Sequence, residues 1–339
     1  MEISTLGEQI DRIITLDLPF RRVIDLLYPP AREKAGEPLA MKAAKELKRV
    51  LKAGNTVFIA TGWPDRPHIN PEIAETDGPP GAAVLGRALH RGFSAIPFFL
   101  IEQNLVIPMQ KVVQAAGFKI LNPDETIAAA QSPSAIHGAT VLEFPTSIES
   151  AKGKAVSLID QYKPAAIISI EKGGMNEKGI IHTSRGHDTT EHMAKVDFLI
   201  EEGKERGVLT IGIGDGGNEI GMGNIREDIQ KNLRFGKQCI CPCGSGIAPM
   251  TETDLLITAT VSNWGAYGLA ACLAILLNNL NVFHDSKIER WILEHASDAG
   301  FIDGISGFVE PGADGLGVEI HCHMVALLEE IVRRGVGEK

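Results

Sequence analysis

Asp215, Asn218 and Glu219 stand inside a run of six glycines, Gly212-Ile-Gly-Asp-Gly-Gly-Asn-Glu-Ile-Gly-Met-Gly223. Hard oxygen donors on a backbone that can take positive φ and come close to a ligand suit a divalent cation or a polar substrate. A purely structural turn needs about one Gly and one Asp. Further acids stand on segments of the same character: Glu75 and Asp77 in Glu75-Thr-Asp-Gly-Pro-Pro-Gly81, and Glu171 in Glu171-Lys-Gly-Gly174. Carboxylates gathered at one place cannot all stay ionised without a cation, so Mg²⁺ or Mn²⁺ is expected, with Asp215, Glu219, Glu75 and Asp77 as its ligands. Glu171 is the candidate base, and Asn218 is placed with it in the catalytic set. Arg185, the only arginine on the polar loops between residues 174 and 223, has the planar fork that holds a carboxylate or phosphate, which points to a small anionic substrate. Gly216, Gly217, Ser262, Asn263 and His182 are secondary candidates for substrate contact.

Gly212-x-Gly214-x-x-Gly217 also matches the dinucleotide fingerprint, but a pyrophosphate there would lie against Asp215 and Glu219. The acidic residue expected about twenty positions on is missing; Leu233-Arg234-Phe235 stands there instead.

Four apolar runs lead into these polar segments: residues 56–60, 165–170, 208–211 and 254–261. Each is followed by a loop rich in Gly, Asp, Glu or Asn and then by a helical pattern, which predicts a three-layer α/β fold, a mostly parallel sheet with helices on both faces. Ligands bind outside the carboxyl ends of such strands, so the four loops meet in one crevice if the strands are neighbours. Residues 1–53 read as a helical N-terminal segment, broken at Pro29-Pro30, that serves as a cap or as an arm in a homo-oligomer. Residues 54–339 form the α/β domain.

The chain has 339 residues, 44% of them hydrophobic, enough for a well-buried core. Its formal net charge of −10, with no basic cluster, disfavours nucleic acid and anionic membranes as partners. The apolar stretch 265–277 is too short to span a bilayer, and residues 1–8 lack the pattern of a secretory signal, so a cytoplasmic location is expected. Cys239, Cys241 and Cys243 alternate in a segment expected as a strand edge, and their spacing lacks the second Cys-x-x-Cys pair of a structural zinc site. No zinc is expected there. His321 and His323 rank below the acidic loops as candidates.

The segments around Glu75, from Glu171 to Arg185-Gly186, from Gly214 to Gly223, and Ser262-Asn263-Trp264-Gly265 together resemble the C-terminal domain of D-glutamate cyclase, over about residues 40–330. The resemblance implies a lyase that cyclises D-glutamate to 5-oxo-D-proline with loss of water. Two departures stand out. No counterpart is seen of the hydratase-like domain that precedes this one in two-domain members, and their tyrosine-containing segment before Arg-Gly is here Ile181-His182-Thr183-Ser184. The same acidic cluster would also serve a Mn²⁺- or Mg²⁺-dependent phosphatase acting on a small phosphate ester, or a non-catalytic protein that binds metal or an amino acid.

Overall fold

A computed structural model describes residues 2–134 and 136–337. Three helices come first, α1 (Ile3–Ile14), α2 (Ile24–Ala35) and α3 (Leu39–Val50). Then follow β1 (Thr56–Thr61), α4 (Pro79–Phe93), β2 (Ile96–Ile101), α5 (Val106–Ala115), β3 (Lys119–Ile120), α6 (Pro123–Gln131), β4 (Gly138–Glu143), α7 (Ile148–Tyr162) and β5 (Ala166–Ile170). The remainder is α8 (Asp197–Glu205), β6 (Leu209–Gly214), α9 (Arg226–Asn232), β7 (Leu255–Thr258), α10 (Ser262–Leu276), α11 (Ser286–Asp298), the short β8 (Gly312–Ala313) and β9 (Leu316–Gly317), and α12 (Val318–Gly335).

The first seven strands form one parallel sheet in the order β3-β4-β2-β1-β5-β6-β7. All four strands expected to share a sheet do so, side by side. Their residues are apolar almost without interruption because both faces are covered. Val57 and Ile59 point into a large core formed with α1 to α5 and α10 to α12, while Phe58 and Ala60 point into a smaller one under α7 and α8. Helix α10 is buried from Ser262 to Ile275, as an all-round apolar helix must be. The strand order reverses between β1 and β5, and this switch point opens the crevice at their carboxyl ends.

Several expectations need correction. Pro29 and Pro30 lie inside α2 rather than ending a helix. The carbonyls they leave without amide partners belong to Asp25 and Leu26, both exposed, so water can serve them. The N-terminal helices share the core of the α/β domain: Leu6, Ile10, Ile14 and Leu27 are buried together with Trp264 and Leu269. The cysteine segment is no strand edge, since residues 233–254 contain neither helix nor strand. No helix among the described residues is long and apolar enough to cross a membrane.

If α1 belongs to the core, Ile10→Ala leaves a cavity beneath it and costs about 2–5 kcal/mol. Urea unfolding measures this, and a loss below about 1 kcal/mol would detach α1 from the core.

Candidate active site

The loops leaving β1, β5 and β6 deliver acids to the crevice. The β1 loop carries Trp63, Asp65, Glu75 and Asp77; Glu171 follows β5, and Asp215, Asn218 and Glu219 follow β6. Asp314 enters from the β8–β9 turn, which Asp303 secures by accepting from the amides of Ile305 (3.0 Å) and Gly315 (2.7 Å). Together with the 183–192 segment, all of these side chains except Asp77 and Asp303 line a cavity of about 870 Å³.

The sheet fixes the acids through the backbone. Gly78 sits at the switch point with φ +101°, and a Cβ there would meet Thr61 Oγ1 at 2.7 Å and Glu171 Cβ at 2.8 Å, so only glycine lets the two loops approach. Asp77 accepts from the amides of Ser262 (2.9 Å) and Asn263 (2.8 Å), capping α10 from a distant loop. Asn263 returns the contact: its Oδ1 accepts from Gly78 (3.0 Å) and Gly81 (2.7 Å). Glu171 has a left-handed backbone, φ +46°, and accepts from the Ser262 hydroxyl. Glu219 folds back over its own loop and accepts from the amides of Gly216 (2.6 Å), Gly217 (2.9 Å), Asn218 (3.0 Å) and Asp215 (3.3 Å). That nest of N–H groups is the one a phosphate would use, and an internal carboxylate fills it.

Asp65 pairs with Arg66, and a second cation sits among the other six acids. Arg21, from the turn between α1 and α2, places Nη2 2.6 Å from Asp215 Oδ2 and 3.1 Å from Asp314 Oδ2, and also donates to the Thr260 carbonyl. Burial opposes its charge, but Asp215 and then Asp314 outweigh that and keep it protonated. A single guanidinium cannot neutralise six carboxyl groups. Burial first, then the neighbouring acids, drives Glu75, Glu171 and Asp314 well above the ordinary carboxylate range. Asp77 and Glu219 are pushed up to about 7 by burial and by Asp215, against the pull of their amide donors.

Of the residues expected at the site, Asp215, Glu219, Glu75, Glu171, Asn218, Arg185 and Gly216 all line the cavity. Arg185 is exposed at its rim. Asp77 lies just behind Asp215, while Gly217, Ser262 and Asn263 are backbone supports outside the lining. His182 faces away from the acids, toward Cys241 and Cys243. His321 is a core histidine whose Nδ1 accepts from Trp264 Nε1 at 2.9 Å. Sequence reasoning missed Arg21 and Asp314. Asp314-Gly315 carries the same acid-glycine signature as the other loops; Arg21 carries no local signal at all.

Two sets of carboxylates bring their oxygens within 4.8 Å of one another, Asp77/Asp215/Asp314 and Glu171/Asp215/Glu219. Arg21 occupies the first, so a hard divalent cation fits the second, where Asp215 and Glu171 keep free lone pairs beside the nested Glu219. Without a cation, carboxyls with raised proton affinity bind more protons folded than unfolded, so stability falls as pH rises from about 4 to about 7. Asp11, buried under the N-terminal helices and pushed up to about 6, adds to the same fall, so the part that Mn²⁺ restores is the part due to the site. The melting temperature of metal-free protein should therefore drop between about pH 5 and pH 8, and added Mn²⁺ should recover much of the loss at pH 8 and little at pH 5. Equal recovery at both would mean the acids are ionised throughout.

A family model described as "D-glutamate cyclase-like, C-terminal" matches residues 10–329. Human mitochondrial D-glutamate cyclase is 29% identical over 252 residues, which cover 73% of this chain and 37% of that protein. The chain thus aligns with well under half the length of its human relative. The family match includes the end of α1, α2 and the turn that carries Arg21, as well as every acidic loop. By that match, the chain belongs to the D-glutamate cyclase-like C-terminal family.

Proposed function

We propose that the chain is a divalent-metal-dependent lyase that closes an acyclic amino diacid, D-glutamate in the first instance, into its five-membered lactam with loss of water. The supporting observation is the convergence of acids from adjacent strand ends, with Asp215 at their centre, on one cavity at the switch point of the sheet. That arrangement and the family name favour this reading over phosphate-ester hydrolysis, since Glu219 already fills the amide nest of the 215–218 loop.

An ionised carboxylate is a poor electrophile, and a bound Mn²⁺ or Mg²⁺ supplies the polarisation that the γ-carboxylate needs. Asp215, with the nested Glu219, would hold it, leaving Glu171 beside them as the base. The chain's own groups do the rest. Arg185, unpaired at the rim among the described residues, takes the α-carboxylate and leaves the other end of the substrate facing the acids. Asn218 spends its amide nitrogen on the His182 carbonyl at 2.8 Å, so its Oδ1, buried without a partner, is free to accept from the substrate ammonium. Two protons must leave the nitrogen and both end on the departing oxygen as water. Glu171, with proton affinity raised by burial and by Asp215, is suited to carry them across. The five cysteines are free thiols, which fits the reducing cytoplasm we propose as the compartment.

Incubation of D-glutamate with metal-stripped protein, with and without added Mn²⁺, should yield the lactam only with metal, read by chiral chromatography and mass. No turnover with either Mn²⁺ or Mg²⁺ would end this reading. Glu171→Gln should lower kcat by about 10²–10⁴-fold. Arg185→Lys should act mainly on KM, because it weakens a contact made equally in ground and transition state. Asp215→Asn should abolish turnover and shrink the Mn²⁺-induced rise in melting temperature, while the metal-free variant melts no lower than wild type because Arg21 keeps Asp314. An undiminished Mn²⁺ shift would remove Asp215 from the metal site.

A further inference from the structure

Beside the acidic cavity, and independent of it, stands a cluster of opposite chemistry. Cys239 Sγ lies 3.3 Å from Cys241 Sγ and 3.4 Å from Cys243 Sγ. His182 Nε2 lies 3.2 Å from Cys241 Sγ and 3.4 Å from Cys243 Sγ. One ligand atom from each of the four side chains falls within 4.8 Å of the others. All three cysteines are free thiols. We propose that His182, Cys239, Cys241 and Cys243 form a closed, tetrahedral Cys₃His site for a structural Zn²⁺ ion.

Three soft sulfurs and one imidazole nitrogen are the donor set of structural zinc and unsuited to Mg²⁺ or Mn²⁺, which take oxygen. Zn–S bonds of about 2.3 Å and Zn–N bonds of about 2.0 Å put tetrahedral ligands about 3.5–3.8 Å apart, so these four contacts need to open by only a few tenths of an ångström. Spacing alone argued against zinc because Cys-x-Cys-x-Cys offers no second pair. The fold supplies the missing ligand from a loop 59 residues before Cys241. His182 is fully buried, Cys239 is buried, and the other two cysteines are half-buried, as in a site closed to solvent. Asn176 buttresses the set, donating through Nδ2 to the Gly246 carbonyl at 2.8 Å, with Cys243 Sγ 3.6 Å away.

The ion also has something to hold. Residues 233–254 lack regular structure, and a segment of that length needs a staple within a packed domain. The other end of the staple is the segment that carries Arg185. Ile240 donates to the Gly186 carbonyl at 3.3 Å, a Cβ on Gly186 would strike Phe235 at 3.2 Å, and Asn218 grips the His182 carbonyl. Zinc here therefore positions Asn218 and the Arg185 turn without touching substrate.

Full-length protein purified without chelator should contain a single zinc ion per chain by elemental mass spectrometry. The Asp215→Asn variant should keep it, which separates this site from the acidic one, and Cys241→Ser should hold less than about a tenth as much. Should Cys241→Ser fail to fold, wild-type protein exchanged with Co²⁺ gives a second readout, in which sulfur-to-cobalt charge transfer and intense visible bands report a tetrahedral thiolate site. Wild-type protein that takes up neither zinc nor cobalt would overturn the proposal. So would three thiols alkylated as fast with zinc as without, a disulfide in the purified chain, or zinc lost with Asp215→Asn and retained in folded Cys241→Ser.

Discussion

Like charges repel, and this structure gathers six carboxyl groups where water is scarce. Much of the local architecture answers that one constraint. Asp215 and Asp314 share Arg21; Asp77 takes two amides at the start of α10; Glu219 takes four from its own loop; Glu171 takes a hydroxyl from Ser262. Each device is a donor placed by the backbone, and what the donors leave uncompensated must be met by protons or by a cation.

The carboxylates are held rather than merely present. Lys172, next to Glu171 in sequence, points the opposite way, is fully buried, and joins the Gly62 carbonyl at 2.6 Å to the carboxylate of Glu102. That ion pair ties the ends of β1, β2 and β5 together directly behind the acids. Glu102 also accepts from Ala194 at 2.7 Å, anchoring the approach to α8. Removing either partner would leave a buried charge alone, among the costlier changes a core can suffer.

The four site strands were legible because buried parallel strands are uninterrupted apolar runs, and the acids on their loops were legible because glycine and carboxylate seldom coincide for structural reasons alone. What escaped was long-range. Arg21 lies on an irregular turn, with Phe20 and Arg22 both at positive φ, and nothing near it in sequence announces that it reaches the sheet edge. Asn263 and Ser262 are expected as ligand contacts because polar residues at a helix start face either solvent or substrate; here the β1 loop bonds Asn263 and Glu171 takes the Ser262 hydroxyl. The cysteine segment alternates in sequence as a strand edge would but lies in irregular chain, and His182 meets it from another loop, which spacing along the chain does not show. Pro29 and Pro30 were misjudged for a different reason: a proline's cost depends on whether the carbonyl it deserts can reach water.

The switch point divides the sheet into unequal halves. Among the described residues, every group lining the acidic cavity comes from the N-terminal turn, from β1 and β5 onward, or from the C-terminal loops, and none from the stretch between α4 and β5. That half, built on β2, β3 and β4, supports the cavity without lining it. The exposed turn at residues 131–134 lies far along it from the acids, at the outer edge of the strand order. Here a foreign domain could be inserted with the acidic cavity left as it is. Evolution has the same latitude: drift on this flank alters stability and surface, whereas drift on the other alters the acidic cavity.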